Sequence, residues 1–297
     1  MAKIVECIPN FSEGRDIGRV DELVNVAKSV PGVTLLDHSS DADHNRSVLT
    51  LIGDPPGIAE AAFLLCKKAS EIIDMTVHNG EHPRMGAVDV IPFVPIRDVC
   101  MDDCVEISKQ VALRIWEELG VPSFLYEYSA ASEERRNLAD IRKGEFEGMP
   151  EKLLLDNWAP DFGERKIHPT AGITAIGARQ PLIAYNINLD TPDIEIAKAI
   201  AKKIRESSGG HKYCKAIGIK LKDRNIAQVS MNLVNCEETP IYKVFEAVRS
   251  ESRHLGVSIL GSELIGLAHS KALIDCTEYY LKIENFDFDT QVLENHL

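Results

Sequence analysis

Ile183-Ala184-Tyr185-Asn186-Ile187-Asn188-Leu189 alternates apolar and polar side chains with a period of two, and so does Ala227-Gln228-Val229-Ser230-Met231-Asn232-Leu233. That alternation marks a strand with one buried face. Between the two stretches, Thr191-Pro192 supplies an N-cap and a first-turn proline for a helix running through Ile196, Ile200 and Ile204. Gly209-Gly210 terminates it. Ile217, Ile219 and Leu221 alternate in another strand. Thr239-Pro240 opens a second helix with Ile241, Val244, Phe245 and Val248 on one face, and Val257–Leu260 is the closing strand. The order is β-α-β-β-α-β, a split βαβ unit.

The same order recurs in the first half. Lys3–Ile8 reads as a strand. Ile17, Val20, Val24 and Ala27 recur at helical spacing up to Pro31-Gly32. Val33–Asp37 and Asn45–Ile52 read as strands, and in the second Arg46, Val48, Thr50 and Ile52 share a face. Ile58, Ala61, Ala62, Leu65, Ala69, Ile72 and Ile73 define a long helix, and Val88–Val94 a strand. A further helix, with Cys104, Val111, Ile115 and Leu119 on its stripe, ends at Gly120 and Pro122. Pro122–Tyr128 is another strand. Residues 131–169 form a charged, turn-rich connector with a short helix near Glu133–Arg142, anchored by Phe146, Leu153–Leu155, Trp158 and Phe162. Ile173–Ile176 reads as a strand leading into the second half. The fold expected is therefore α/β (α+β), with two split-βαβ, ferredoxin-like subdomains, 1–180 and 181–297. In each, helices cover one face of a sheet. The other face of the second sheet carries Asn186, Asn188, Gln228, Ser230 and Asn232, and is either solvated or the lining of a polar cleft.

At 297 residues and 44% hydrophobic, the chain has ample apolar material for cores of this kind. No apolar run approaches the roughly 20 residues that span a bilayer. The N-terminus passes straight into a strand pattern without a signal-peptide core, so a cytoplasmic location is expected. The net charge of −13 argues against nucleic acid and anionic membrane as partners. A small anionic substrate held by a local cluster of Arg or Lys remains compatible. The seven cysteines are odd in number and scattered, as expected of reduced thiols, and Cys100 with Cys104 makes no metal-binding pair.

Chemistry concentrates in Val77-His78-Asn79-Gly80-Glu81-His82-Pro83-Arg84-Met85-Gly86. The pattern His78-x-x-Glu81-His82 matches that of inverted zinc metalloproteases, which need both histidines on one helix face. Gly80 lies inside the motif and Pro83 disfavours helix at His82, so no metal site is expected. A loop between a long helix and a buried strand suits an imidazole that moves a proton, with Arg84 holding an anion beside it. Asn10–Arg15 reads as a turn and helix cap. The loop Asp37–Arg46 carries three carboxylates without the spacing of a calcium loop. Thr170–Arg179 has spaced glycines but lacks the Lys-Ser/Thr of a phosphate loop. No G-x-G-x-x-G supports a nucleotide fold.

Taken together, these segments resemble the formiminotransferase domain family. The matching pieces are Val5–Gly14, Asn45-Arg46, His78–Asp89, Trp158–Gly163, Gly177–Arg179, Leu182–Leu189 and Ala227–Ser230, in order along almost the whole chain. The resemblance implies stacked sheets inside, helices outside, and a folate tunnel between the subdomains. It implies transfer of the formimino group from N-formimino-L-glutamate to N5 of tetrahydrofolate, the co-substrate, with no metal and no nucleotide. It also implies a homodimer and a form without the cyclodeaminase domain. The catalytic histidine falls on His82, as general acid and base. The folate segment falls on Gly163, Glu164, Arg165, Lys166, Ile167, His168, Pro169, Thr170, Ala171 and Gly172, more charged here than is usual in the family. Asp37 or Asp41 is expected to steady the cationic amidinium. Arg46, Arg84 and Arg179 are expected to hold carboxylates, which Arg binds bidentately. A formyl donor in the same site is the close alternative, and a folate-binding protein without catalysis a more distant one.

Overall fold

The computed structural model describes residues 3–296, and the chain divides into two units, one ending at Arg179 and one beginning at Gln180. In the first, β1 (Ile4–Cys7) and β2 (Asn10–Phe11) are followed by α1 (Ile17–Ser29), β3 (Val33–Asp41), β4 (Arg46–Gly53), α2 (Pro55–Ile72) and β5 (Val88–Arg97). Both β1 and β2 pair antiparallel with β4 on one side and β5 on the other. They are one strand broken at Ile8-Pro9, where proline has no N–H to give a ladder. With β3 outside β4, four neighbouring positions are antiparallel throughout, as the split βαβ order requires.

Caps set the helix ends. Asp16 accepts from Arg19 N at the start of α1, and Asp54 accepts from Gly57 N at the start of α2. The sheet then grows past β5. Helix α3 (Met101–Leu119) ends at Gly120, whose φ of 66° is left-handed, and leads to β6 (Ser123–Leu125). β7 (Thr174–Ala178) inserts between β5 and β6, parallel to both. The stretch expected to lead into the second half is thus an inner strand of the first sheet. The connector folds as α4 (Leu138–Ile141) and α5 (Glu145–Lys152) among turns. Helices α1, α2 and α3 bury Leu23, Ile58, Leu65 and Ile115 against Val5, Leu51, Ile91 and Phe93 on one sheet face. On the other face, Ile141, Met149 and Leu153 of the connector cover Val90, Phe124 and Ala175. That half of the sheet is therefore covered on both sides, and Glu6, Arg46, Val48, Thr50 and Ile52 lie half-buried beside the cover.

The second unit comprises β8 (Ile183–Leu189), α6 (Ile194–Ile204), β9 (Cys214–Leu221), β10 (Ile226–Leu233), α7 (Ile241–His254), β11 (Ile259–Ile265), α8 (Ser270–Leu281) and α9 (Phe288–Gln291). Its antiparallel sheet has the order β11-β8-β10-β9, again the split βαβ arrangement. Three local expectations shift. The cap of α6 is Asp193, not Thr191, so Pro192 precedes the helix. The closing strand starts at Ile259 and runs to Ile265. Helix α8 lies beyond the last element expected. The polar row is a cross-strand amide ladder: Gln228 Nε2 donates to Asn188 Oδ1 at 2.7 Å, and Asn188 Nδ2 to Glu263 Oε1 at 2.8 Å. Asn188 and Gln228 are only 3% and 2% exposed, so the centre of this row is not solvated.

Among the described residues no helix is long and apolar enough to cross a membrane.

Candidate active site

Three loops of the first unit close on one another beside the end of β4. They are the turn after β2, the β3–β4 loop, and the α2–β5 loop that carries His78 and His82. Ser12 N donates to Ala87 O at 3.0 Å, Ser12 Oγ to Gly86 O at 2.7 Å, and Glu81 N to Asp43 O at 3.2 Å. Asn45 ties all three: its Oδ1 accepts from Gly14 N at 3.0 Å and its Nδ2 donates to Asn79 O at 2.9 Å. Asn45 sits at a φ of 49°, a left-handed position that asparagine tolerates better than most residues. Gly80 is required by contact: a Cβ there would lie 2.3 Å from His44 O. The loops enclose a recess lined by Phe11, Ser12, His44, Asn45, Arg46, His78, His82, Arg84 and Asp89.

His82 is held neutral. Burial first, then the neighbouring Arg46, Arg142 and His44, push its pKa down to about 3. A simple imidazole titrating near 7, as the loop alone suggests, is therefore not what the surroundings make of it. Arg46 donates through Nη2 to Asn10 Oδ1, and Arg142 through Nη2 to Asp89 Oδ2. Asp89 also accepts from Met85 N at 3.1 Å. The Nε atoms of Arg46 and Arg142 are buried without a protein partner. Buried guanidinium donors are costly to leave unpaired, so the pair is suited to an incoming anion. An anion there would also relieve the repulsion that keeps His82 from holding a proton.

Arg84 is placed differently from expectation. Its Nη1 donates to Glu145 and Glu147 at 2.8 Å each, its Nη2 to Glu147 Oε1 at 2.6 Å and to His78 O at 3.2 Å, and its Nε to His78 Nδ1 at 3.2 Å. Every N–H of the guanidinium is committed. Arg84 thus clamps the start of α5 to the histidine loop rather than offering its charge to a substrate. His78 belongs to the clamp: with Nδ1 accepting, its Nε2 donates to Asn45 O at 3.1 Å, and burial lowers its pKa.

The remaining expected residues separate. Asp41 stays close, accepting from His44 N at 2.8 Å and from His44 Nδ1 at 3.0 Å, which holds its carboxyl below the usual range. Asp37 is exposed on β3 and is not among the lining residues. Arg179 lies at the far end of β7, beside Glu6 and Tyr126. None of Gly163–Gly172 lines the recess. Arg165 pairs with Asp156 at 3.0 Å, and His168 Nδ1 accepts from Ala171 N at 3.0 Å. The end of this segment braces the histidine loop from behind: Ala87 N donates to Ala171 O at 2.9 Å and Met75 N to Thr170 O at 2.8 Å. Sequence reading missed His44, Asp89 and Arg142. Asp89 had a signal, a lone acid in an apolar strand, which must find a cation. Arg142 had none.

Among the described residues no group of three His, Cys, Asp or Glu is arranged to hold a metal ion. Two split-βαβ units, one of them carrying a histidine beside two arginines whose Nε donors lack partners, define the class of fold and site to be compared. Family comparison is specific. The model of the formiminotransferase domain, N-terminal subdomain, matches residues 4–179, and that of the formiminotransferase domain matches residues 184–294. The chain is 67% identical to glutamate formimidoyltransferase of Streptococcus pyogenes, over all of this chain and 99% of that protein. It is 46% identical to glutamate formimidoyltransferase of Thermoplasma acidophilum, over 99% of this chain and 97% of that protein. It is 45% identical to formimidoyltransferase-cyclodeaminase of Gallus gallus, over 96% of this chain and 53% of that protein. The chain belongs to the formiminotransferase domain family.

Proposed function

We propose that this protein transfers the formimino group of N-formimino-L-glutamate to N5 of tetrahydrofolate, yielding L-glutamate and 5-formimidoyltetrahydrofolate. Full-length relatives of this name support the reaction. The observation that carries the site assignment is His82, neutral in the field of Arg46 and Arg142, whose Nε atoms are buried without a partner. Formimino-glutamate brings two carboxylates, and these arginines are the cations left with buried donors to meet one. Tetrahydrofolate supplies the nucleophilic nitrogen. As the N5–carbon bond forms, N5 must lose a proton, and as the carbon–nitrogen bond to glutamate breaks, that nitrogen must gain one. His82, neutral before reaction, accepts the first and can return it for the second. A bound carboxylate compensates Arg46 and Arg142 and makes the imidazolium affordable at that moment.

Other parts of the reading follow from the same assignment. Asp41 acts through His44, and Arg84 as a brace. Arg179, with Glu6 and Tyr126 nearby, is the candidate for the folate tail. Gly163–Gly172 serves folate by holding the histidine loop. The subdomains are taken as 1–180 and 181–297. A cytoplasmic homodimer is the working form that the family resemblance implies, and seven free cysteines, four of them buried, suit a reducing compartment. The test is purified protein with tetrahydrofolate and formimino-glutamate, followed by folate absorbance. His82→Ala should lose turnover by about 100-fold or more, the scale of general acid–base catalysis, and still bind folate. Normal turnover in that variant overturns the assignment.

A further inference from the structure

His44 is a second imidazole in the recess, and the transfer proposed above gives it work. Its ring meets that of His82 edge-on, with centroids 6.3 Å apart. Both rings line the same recess. The Asp41 carboxylate takes the His44 backbone N–H at 2.8 Å and Nδ1 at 3.0 Å, so backbone and ring are fixed by one acid. Committing Nδ1 leaves Nε2 as the working nitrogen, the arrangement in which a carboxylate orients an imidazole and compensates its charge. The side chain is 48% exposed, more open to water than the half-buried His82. The loop is not slack: Arg15 Nε donates to Ala42 O at 2.8 Å and Arg15 Nη1 to Asn79 Oδ1 at 2.6 Å, and Gly80 packs on His44 O.

We propose that His44, oriented by Asp41, is the acid that protonates the departing glutamate nitrogen, while His82 is the base that takes the N5 proton. This rests on the formimino-transfer reading. In this scheme His82 starts neutral and His44 starts as the imidazolium, with its Nδ1–H on Asp41 and the proton to be given on Nε2. Formation of the N5–carbon bond sends the N5 proton to His82. Cleavage of the bond to glutamate draws the Nε2 proton of His44. The proton on His82 then passes to His44, across the ring contact or through water, and both are restored with no net gain or loss. The division of labour answers a difficulty for one imidazole: His82 lies among cations and holds a proton poorly. The titratable and charged groups around His44 are Asp41 at the end of β3, Asp43 beside it in the loop, Arg46 on β4, and neutral His82 from the α2–β5 loop.

The test is steady-state kinetics across pH with His44→Ala, His44→Gln and Asp41→Asn. In the wild type, kcat should fall on the alkaline side as the acid loses its proton. His44→Ala and His44→Gln should lower kcat on the order of 100-fold with little change in KM, and abolish that alkaline fall. Added imidazole should restore part of the rate to His44→Ala. Asp41→Asn should move the alkaline fall to lower pH. If His44→Ala keeps wild-type kcat, or loses rate while the alkaline fall stays and imidazole rescues nothing, His44 is not the acid. If the wild type itself transfers no formimino group, the underlying reading fails instead, and the two failures are told apart.

Discussion

Replacing His82 by Gln should flatten the acid dependence of stability. In the folded protein His82 resists protonation until about pH 3, whereas its ordinary value is 6.5. Between those limits the unfolded chain binds a proton that the native state does not. Stability therefore falls as pH drops below 6.5, by about 1.4 kcal/mol per pH unit for one such group. From pH 7 to pH 5 that amounts to roughly 2 kcal/mol, and solvent at the half-buried ring reduces it to about 1 kcal/mol. Glutamine keeps the volume and polarity and removes the titration. Urea unfolding of wild type and His82→Gln at pH 7 and pH 5 measures the difference, with the other histidines and the carboxylates cancelling between the two proteins. Wild type should lose about 1 kcal/mol more than the variant over this interval. Parallel losses would refute the claim that burial and the repulsion of nearby arginines keep His82 neutral.

Arg46→Met should raise KM for formimino-glutamate on the order of 10-fold or more, the worth of a charge-assisted hydrogen bond, with its neutral partner Asn10 tolerating the loss. Steady-state kinetics decides it, and an unchanged KM removes Arg46 from substrate binding. Arg142→Met strands Asp89, which is 2% exposed, and should cost about 3–5 kcal/mol in thermal unfolding, with Asp89→Asn in the same chain recovering part of it. Gly80→Ala must part the two loops, since its Cβ would lie 2.3 Å from His44 O; a loss of about 1–3 kcal/mol and of most activity is expected, and a wild-type Tm would contradict the contact.

Periodicity carried the fold a long way. Both β-α-β-β-α-β halves stand in the sheets, because each strand and helix buries one regular face and that face is written in the local spacing. What periodicity does not encode is which sheet a short apolar run joins. Thr174–Ala178 is buried at every position, so it has no alternation to read, and its place beside β5 follows from long-range pairing. The site divides the same way. His82, singled out for its loop between a long helix and a buried strand, and Arg46, singled out through the family resemblance, both line the recess. Arg84 is two residues from His82 in the chain, yet its guanidinium turns to Glu145 and Glu147, some sixty residues away. Arg142 reaches Asp89 across 53 residues from the end of a four-residue helix in the connector, where no pattern sets it apart from other surface arginines.

The clamp at Arg84 also decides what a titration of this enzyme can report. Glu147 is held below the usual carboxylate range chiefly by its hydrogen bond to Arg84, and Arg84 is held above its ordinary value by Glu147. The ion pair therefore keeps its form from mildly acidic to strongly alkaline solution. Connector and histidine loop stay fastened across that span, and no hidden release of Arg84 into the recess mimics a catalytic ionisation. An inflection in activity near neutral pH is then not a loosening of this clamp, so the rate itself becomes a spectrometer for proton movements elsewhere.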